Sequence, residues 1–152
     1  EAIKDTDGKY YAFVDNGREF TGKEVLEWAL EAEDLGAGEI ILTSVDQEGT
    51  GKGFNHELVT LINSKINVPL IVHGGAGNEQ DIFNLFSQDE IDAVAIASVF
   101  HYEAIEHLVF EQANAGEGNF DFLNKTYSSS SVEKVNLAEL KWKLKEQGIK
   151  CR

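Results

Sequence analysis

Cysteine occurs once in the 152 residues, as Cys151 beside the C-terminus, so neither an intrachain disulfide nor a cysteine-based metal site can form. That usage fits a reduced, cytoplasmic setting. Methionine is missing altogether; a primary translation product starts with one, so the chain is expected to begin inside its first element. No run approaches the roughly 18 apolar residues of a spanning helix. The opening EAIKDTDGKYY has no basic, apolar, small-residue signal order, so no membrane partner is expected. Basic residues are scarce: 13 Lys and Arg stand against 27 Asp and Glu, for a net charge of −14 and a pI near 4.6. Neutralising nucleic-acid phosphates or an anionic membrane surface needs clustered positive side chains, so both are excluded as partners. A small phosphate ester is not excluded, because backbone N–H groups at a helix N-terminus supply a local positive field whatever the net charge.

What is present is an ordinary globular composition, 42% hydrophobic and 10% aromatic, in a length that suits one domain over 1–152. Residues 1–8 read as the tail of a strand running into Asp7-Gly8. KYYAFVDNGREFTG alternates about a turn at Asp15-Asn16-Gly17, a small hairpin. Helical periodicity predicts helices over 22–35, about 55–65, 79–87 capped by Asn78 and Asp81, and from Val99 to about Ala113. A last helix, 137–147, ends at Gly148. Between them lie short β-branched strands at 39–44, 69–72 and 93–96. Strand and helix alternating through short loops specifies right-handed βαβ units and a parallel sheet with outer helices. The rhythm fails over 103–135, an apparent insertion before the last helix whose serines at 128–131 read as a surface loop.

The chain is organised around two stretches, IILTSVDQEGTGKGFN (40–55) and PLIVHGGAG (69–77). Each starts as a buried strand and breaks into glycine-rich polar sequence, the pattern of a strand delivering a ligand-facing loop. Two such deliveries point to one shared site.

GAGEIILTSVDQEGTGKGFN (36–55), VHGGAG (72–77) and DAVAIASVFHY (92–102), in that order, resemble the cyclase subunit family of imidazole glycerol phosphate synthase. The DNGREFTG segment and the Trp28 helix are similar to it too. The resemblance covers about 1–102 and resumes over 137–152. It implies an α/β fold, the (βα)4 half of a TIM (βα)8 barrel comprising strands five to eight. It implies lyase chemistry in histidine biosynthesis, in which ammonia from a partner glutaminase subunit closes the imidazole ring of a phosphorylated substrate. No cofactor is implied. Two alternatives stay open: half of a cyclase-like amidotransferase synthase subunit for surface-polysaccharide sugars, and a non-catalytic phosphate-binding half-barrel.

The resemblance assigns residues at the strand ends. The family's carboxylate at the end of strand five, its general acid/base, falls on Glu1 if one residue is inserted and on Ala2 if none is; Glu1 is otherwise a frayed terminal acid. Thr43 and Ser44 end the next strand with hydroxyls expected at the barrel mouth, for ligand contact or for their own loop. Glu48 stands one methylene longer than the family's aspartate, and Gly49 is a phosphate-proximal backbone donor. Asp46 contacts the site or braces its loop. Gly74, Gly75 and Gly77 cradle a phosphate or simply make a tight turn, with Ala97 and Ser98 completing the site. His73 replaces a small hydroxyl residue and either binds phosphate, shuttles protons or is hydrogen-bonded in the core. Glu39, at the opposite strand end, matches a charged ring for ammonia passage or is a solvated acid. His56, His101 and His107 show no convergent spacing with carboxylates, so no metal site is expected.

Half a barrel leaves strand edges and an interior face uncovered. A homodimer or a complementary half-barrel is therefore the expected assembly.

Overall fold

The computed structural model describes residues 1–89, 91–107 and 132–151. Three strands come first: β1 (Ala2–Lys4), β2 (Tyr10–Val14) and β3 (Glu19–Glu24), joined as an antiparallel sheet in the order β1-β2-β3. The β2–β3 turn works because Asp15, Asn16 and Gly17 all take positive φ (54°, 57° and 75°), which short polar side chains and glycine tolerate. Thr21–Glu24 remain extended, although helical periodicity predicts a helix from 22. Pairing with β2 (Tyr11↔Glu24, across a bulge) holds them, so α1 (Val25–Asp34) begins three residues late. Gly36, at φ 97°, ends α1 with the paired bonds Gly36 N to Glu33 O and Ala37 N to Ala32 O.

From there the chain alternates β4 (Ile40–Thr43), α2 (His56–Asn63), β5 (Leu70–His73), α3 (Glu79–Gln88), β6 (Ala93–Ala95) and α4 (Ser98–His107). β4, β5 and β6 form a parallel sheet in that order, with Thr43, His73 and Ala95 level at its C-terminal edge. A parallel bridge, Ala2↔Ser44, and the bond from Val45 N to Ala2 O set β1 beside β4 in the same direction. The architecture is α/β, compatible with a partial TIM barrel. The 103–135 stretch lies mostly outside the described residues. Its return is anchored: Glu133 N donates to Gly77 O and Val135 N to Val99 O, ahead of the last helix, α5 (Leu137–Glu146).

Three helix starts carry a side-chain cap, whereas α1 starts at Glu24 without one. The Asn55 side chain accepts from Leu58 N, Asn78 and Asp81 make a reciprocal capping box, and Asn136 accepts from Ala138 N and Glu139 N. Gly148 closes α5 with the same paired bonds seen after α1.

Strand alternation divides the parallel sheet into two faces. Leu42, Leu70 and Val72 point toward the helices and are buried with Leu58, Val59 and Ile62 of α2, Ile82 and Leu85 of α3, Val99 of α4, and Leu140 and Leu144 of α5. Full burial of a side chain of this size stabilises the fold by about 1.5–3 kcal/mol. The opposite face carries Ile41, Ile71 and Ala93 below Thr43, His73 and Ala95, and Ile41 is 59% exposed. Polar braces tie the outer layer: buried Asp89 holds His56 Nδ1 at 2.6 Å and accepts from Thr60 Oγ1 at 3.1 Å, locking α3 to α2.

Candidate functional site at the strand ends

Two loops leave the C-terminal edge of the parallel sheet, 44–55 after β4 and 74–78 after β5, and they interlock through backbone. Gly53 N donates to Gly75 O at 2.9 Å. A Cβ at Gly75 would overlap Gly53 O, one at Gly77 would overlap Gly51 O, and one at Gly74 would press on Ser44 O. Gly74 and Gly75 also take positive φ (97° and 117°). These glycines are thus required by loop-on-loop packing, whatever ligand the loops meet.

Gly77 plays a different part from the phosphate cradle read in the sequence. Its N–H donates to Asp81 Oδ2 at 2.9 Å, beside Asn78 N at 3.2 Å on the same oxygen, so the α3 capping carboxylate already occupies that donor. The amides of Gly74, Gly75 and Ala76 have no such side-chain acceptor among the described residues.

The interlock leaves a cavity of about 140 Å³ at the sheet edge, lined by Glu48, Gly49, His73, Gly74, Gly75 and Ser98, with Ala76, Ala95, Ile96 and Ala97 between them. Residues from three separate strand ends, expected at one site from the sequence, are brought together here. Ala76, Ala95 and Ile96 are additional. Ala95 was recoverable from the strand register, since period-2 alternation from Ala97 carries it to the same face.

Thr43 does not line this cavity but stands behind His73, with its Oγ1 3.1 Å from His73 Nδ1, so the Thr43 hydroxyl is engaged with the imidazole. Ser44 is different: alternation turns it to the opposite face of β4, where it is 4% exposed and its Oγ has no hydrogen-bond partner among the described residues. The expectation that both hydroxyls reach the mouth is therefore corrected for Ser44. Consecutive strand residues cannot share a face. Asp46 acts as a brace, its Oδ2 accepting from Lys4 N at 2.8 Å and tying the loop to β1.

Glu1 precedes Ala2 and so lies level with Thr43, continuing the row Thr43, His73, Ala95 across a fourth parallel strand. Its Oε2 accepts from Gly17 N at 2.8 Å, which directs the carboxylate to the hairpin tip. Glu1 and Glu39 both line another cavity, about 340 Å³, that runs along the open edge of β4 against Phe13, Val25 and Trp28. Glu39 is exposed at the N-terminal end of β4, away from the mouth, as its place in the sequence predicts.

The titrating groups whose affinities move lie outside the mouth, in surface networks. The Glu57 carboxylate raises the Lys4 ammonium, and Lys4, followed by the Tyr10 hydroxyl, lowers Glu57. Glu79 raises Lys143, joining α3 to α5. Among the described residues no three His, Cys, Asp or Glu side chains gather as metal ligands.

A parallel α/β chain whose loops converge at the C-terminal ends of its strands belongs to the class in which barrels of this kind place their ligand sites. Within that class the family is defined by sequence. Residues 2–106 match the histidine biosynthesis protein family, and the chain belongs to it. Its relatives include three imidazole glycerol phosphate synthase subunits HisF. That of Alkaliphilus metalliredigens is 44% identical over 99 residues, 65% of this chain and 39% of the relative. That of Chlorobium luteolum is 41% identical over 100 residues, 66% of this chain and 40% of the relative. That of Methanosphaera stadtmanae is 46% identical over 87 residues, 57% and 32% of the two chains. The chain thus spans about two-fifths of the length of most of these relatives. No described helix is long and apolar enough to cross a membrane.

Proposed function

We propose that this chain is the strand-five-to-eight portion of a cyclase of the imidazole glycerol phosphate synthase type, acting in histidine biosynthesis in the cytoplasm. In this reading the mouth cavity takes a phosphate of the substrate. Gly49, Gly74 and Gly75 offer backbone N–H groups, Ser98 opens α4, and Glu48 and His73 flank the anion. Glu1 is the acid/base carboxylate. Glu39 belongs to the floor through which ammonia from a glutaminase partner passes. The observation that carries the reading is the convergence of three strand ends on one small cavity, in a chain whose relatives are synthase subunits.

The inner face of the parallel sheet supports the second half of the proposal, closure by a further half-barrel. Ile41 on that face is 59% exposed and lines the cavity that follows the edge of β4. A second copy of the chain related by a two-fold axis is the simplest cover. Light scattering is expected to give a dimer or larger assembly, and a clean monomer at micromolar concentration would count against closure by self-association.

The cyclase reading is tested by supplying ribotide substrate and ammonium salts to the chain alone and to the chain mixed with a strand-one-to-four half from a relative. Turnover is expected only in the mixture, and inorganic phosphate is expected to raise the melting temperature of the chain alone. A second reading, a cyclase-like synthase for a surface-polysaccharide sugar, draws on His73, whose imidazole takes up room at the mouth that the family gives to a small residue. Phosphate protection without ribotide turnover in the mixture would favour it, or a purely binding role.

A further inference from the structure

Resting on the anion reading of the mouth cavity, we propose that Thr43 is a positioning residue for His73, and that His73 Nε2 is a protonation-dependent ligand selecting doubly charged anions. Thr43 Oγ1 lies 3.1 Å from His73 Nδ1, while Nε2, on the far side of the ring, has no hydrogen-bond partner among the described residues. His73 lines the cavity together with Gly74, Gly75 and Ser98. The two residues sit level on adjacent parallel strands, so the backbone fixes their separation.

A hydroxyl suits this position because it serves both charge states. Toward neutral imidazole the Thr43 O–H donates to Nδ1, which leaves the ring proton on Nε2; toward imidazolium, Nδ1–H donates to Oγ1 and Nε2–H remains. In both states Nε2 carries hydrogen toward the cavity, but only imidazolium brings a charge, and charge-assisted hydrogen bonds are about twice as strong as neutral ones. Neighbours on the flanking strands, Thr43 and Ala95, do not titrate. The charged groups around the ring are Glu48, which lines the same cavity, and Glu1, level with Thr43 and bound to Gly17 N. Asp46 is bound to Lys4 N, and His101 on α4 is exposed. Glu48 opposes an anion at every pH at which it is ionised, so His73 supplies the compensating charge within the cavity.

Sulfate is the probe, because it keeps two negative charges between about pH 8 and about pH 5.5, the interval in which imidazoles gain a proton. Its affinity for the full chain, read from the amide signals of Gly74 and Gly75, is expected to rise about tenfold across that interval. His73→Gln is expected to bind weakly with no rise, and Glu48→Gln to bind more tightly with the rise intact. Thr43→Val is expected to bind a few-fold more weakly than the parent across the whole interval and to shift the ¹⁵N tautomer signals of His73. A flat parent profile, a rise that survives His73→Gln, or one abolished by Glu48→Gln would overturn the role of His73. An unaltered Thr43→Val would overturn the positioning role. Absence of sulfate and phosphate binding at any pH would instead remove the anion reading beneath it.

Discussion

The two faces of the β4–β5–β6 sheet are built from the same strands and have opposite fates. Toward the helices, Leu42, Leu70 and Val72 are at most 4% exposed and pack into one core with residues from each of the five described helices. On the other side Ile41 is 59% exposed, although it neighbours Leu42 in the chain and matches it in hydrophobicity. The difference teaches that a βα unit completes only its outer layer by itself. A helix that follows its strand in sequence can return to cover one face, whereas the inner face must be covered by strands from elsewhere.

The contrast is most sharply broken by truncation on each face. Leu70→Ala should cost about 2–5 kcal/mol in equilibrium unfolding, since Leu70 is fully buried and the cavity left behind cannot collapse. Ile41→Ala should change stability by less than about 0.5 kcal/mol in the isolated chain. A loss as large as that of Leu70→Ala, especially one that depends on protein concentration, would reveal that another copy already covers the inner face.

An intermediate effect is expected at the mouth, where loops are locked by backbone contact. Gly75→Ala should cost about 2–4 kcal/mol, combining a positive φ with overlap on Gly53 O. Gly49→Ala has a positive φ of 72° but open space around its Cβ, so about 1 kcal/mol is expected. Chemical denaturation of the two variants compares them directly; equal losses would mean that the interlock contributes nothing beyond local conformation.

The smallest effect concerns the surface, on the outer layer. Glu79 raises the Lys143 ammonium above its ordinary value of 10.5. A raised basic group stabilises the fold fully below its unfolded value, and the contribution is lost as pH rises through the folded value. Thermal stability of the parent should therefore fall slightly faster above pH 10.5 than that of Lys143→Ala. Parallel profiles would show that the α3–α5 pair adds nothing to the outer layer.

Much of the element order was legible because its signals are local. Asn78 and Asp81 cap α3 and Gly148 ends α5 as the sequence predicts, since caps and stops act within one turn of backbone. The start of α1 was not legible: Thr21–Glu24 follow the helical period, but pairing with β2, ten or so residues back, holds them extended. At the site, the gathering of Gly49, Gly75 and Ser98 followed from strand order. The fate of individual donors did not, because Gly77 N is taken by Asp81 and the Thr43 hydroxyl by His73. Neither the Asp89 brace to His56 nor its bond to Thr60 has any signature in spacing, as the partners lie about thirty residues apart.

By itself the sequence determined the order of most strands and helices, the parallel sense of the β4–β5–β6 sheet and the family to which the chain belongs, because periodicity and motif wording are carried by neighbouring residues. Tertiary structure alone decided that the Thr43 hydroxyl meets His73 and that the glycines serve loop against loop. Those outcomes depend on register between strands and on backbone atoms meeting across 22 to 30 residues of chain, distances at which no local pattern acts.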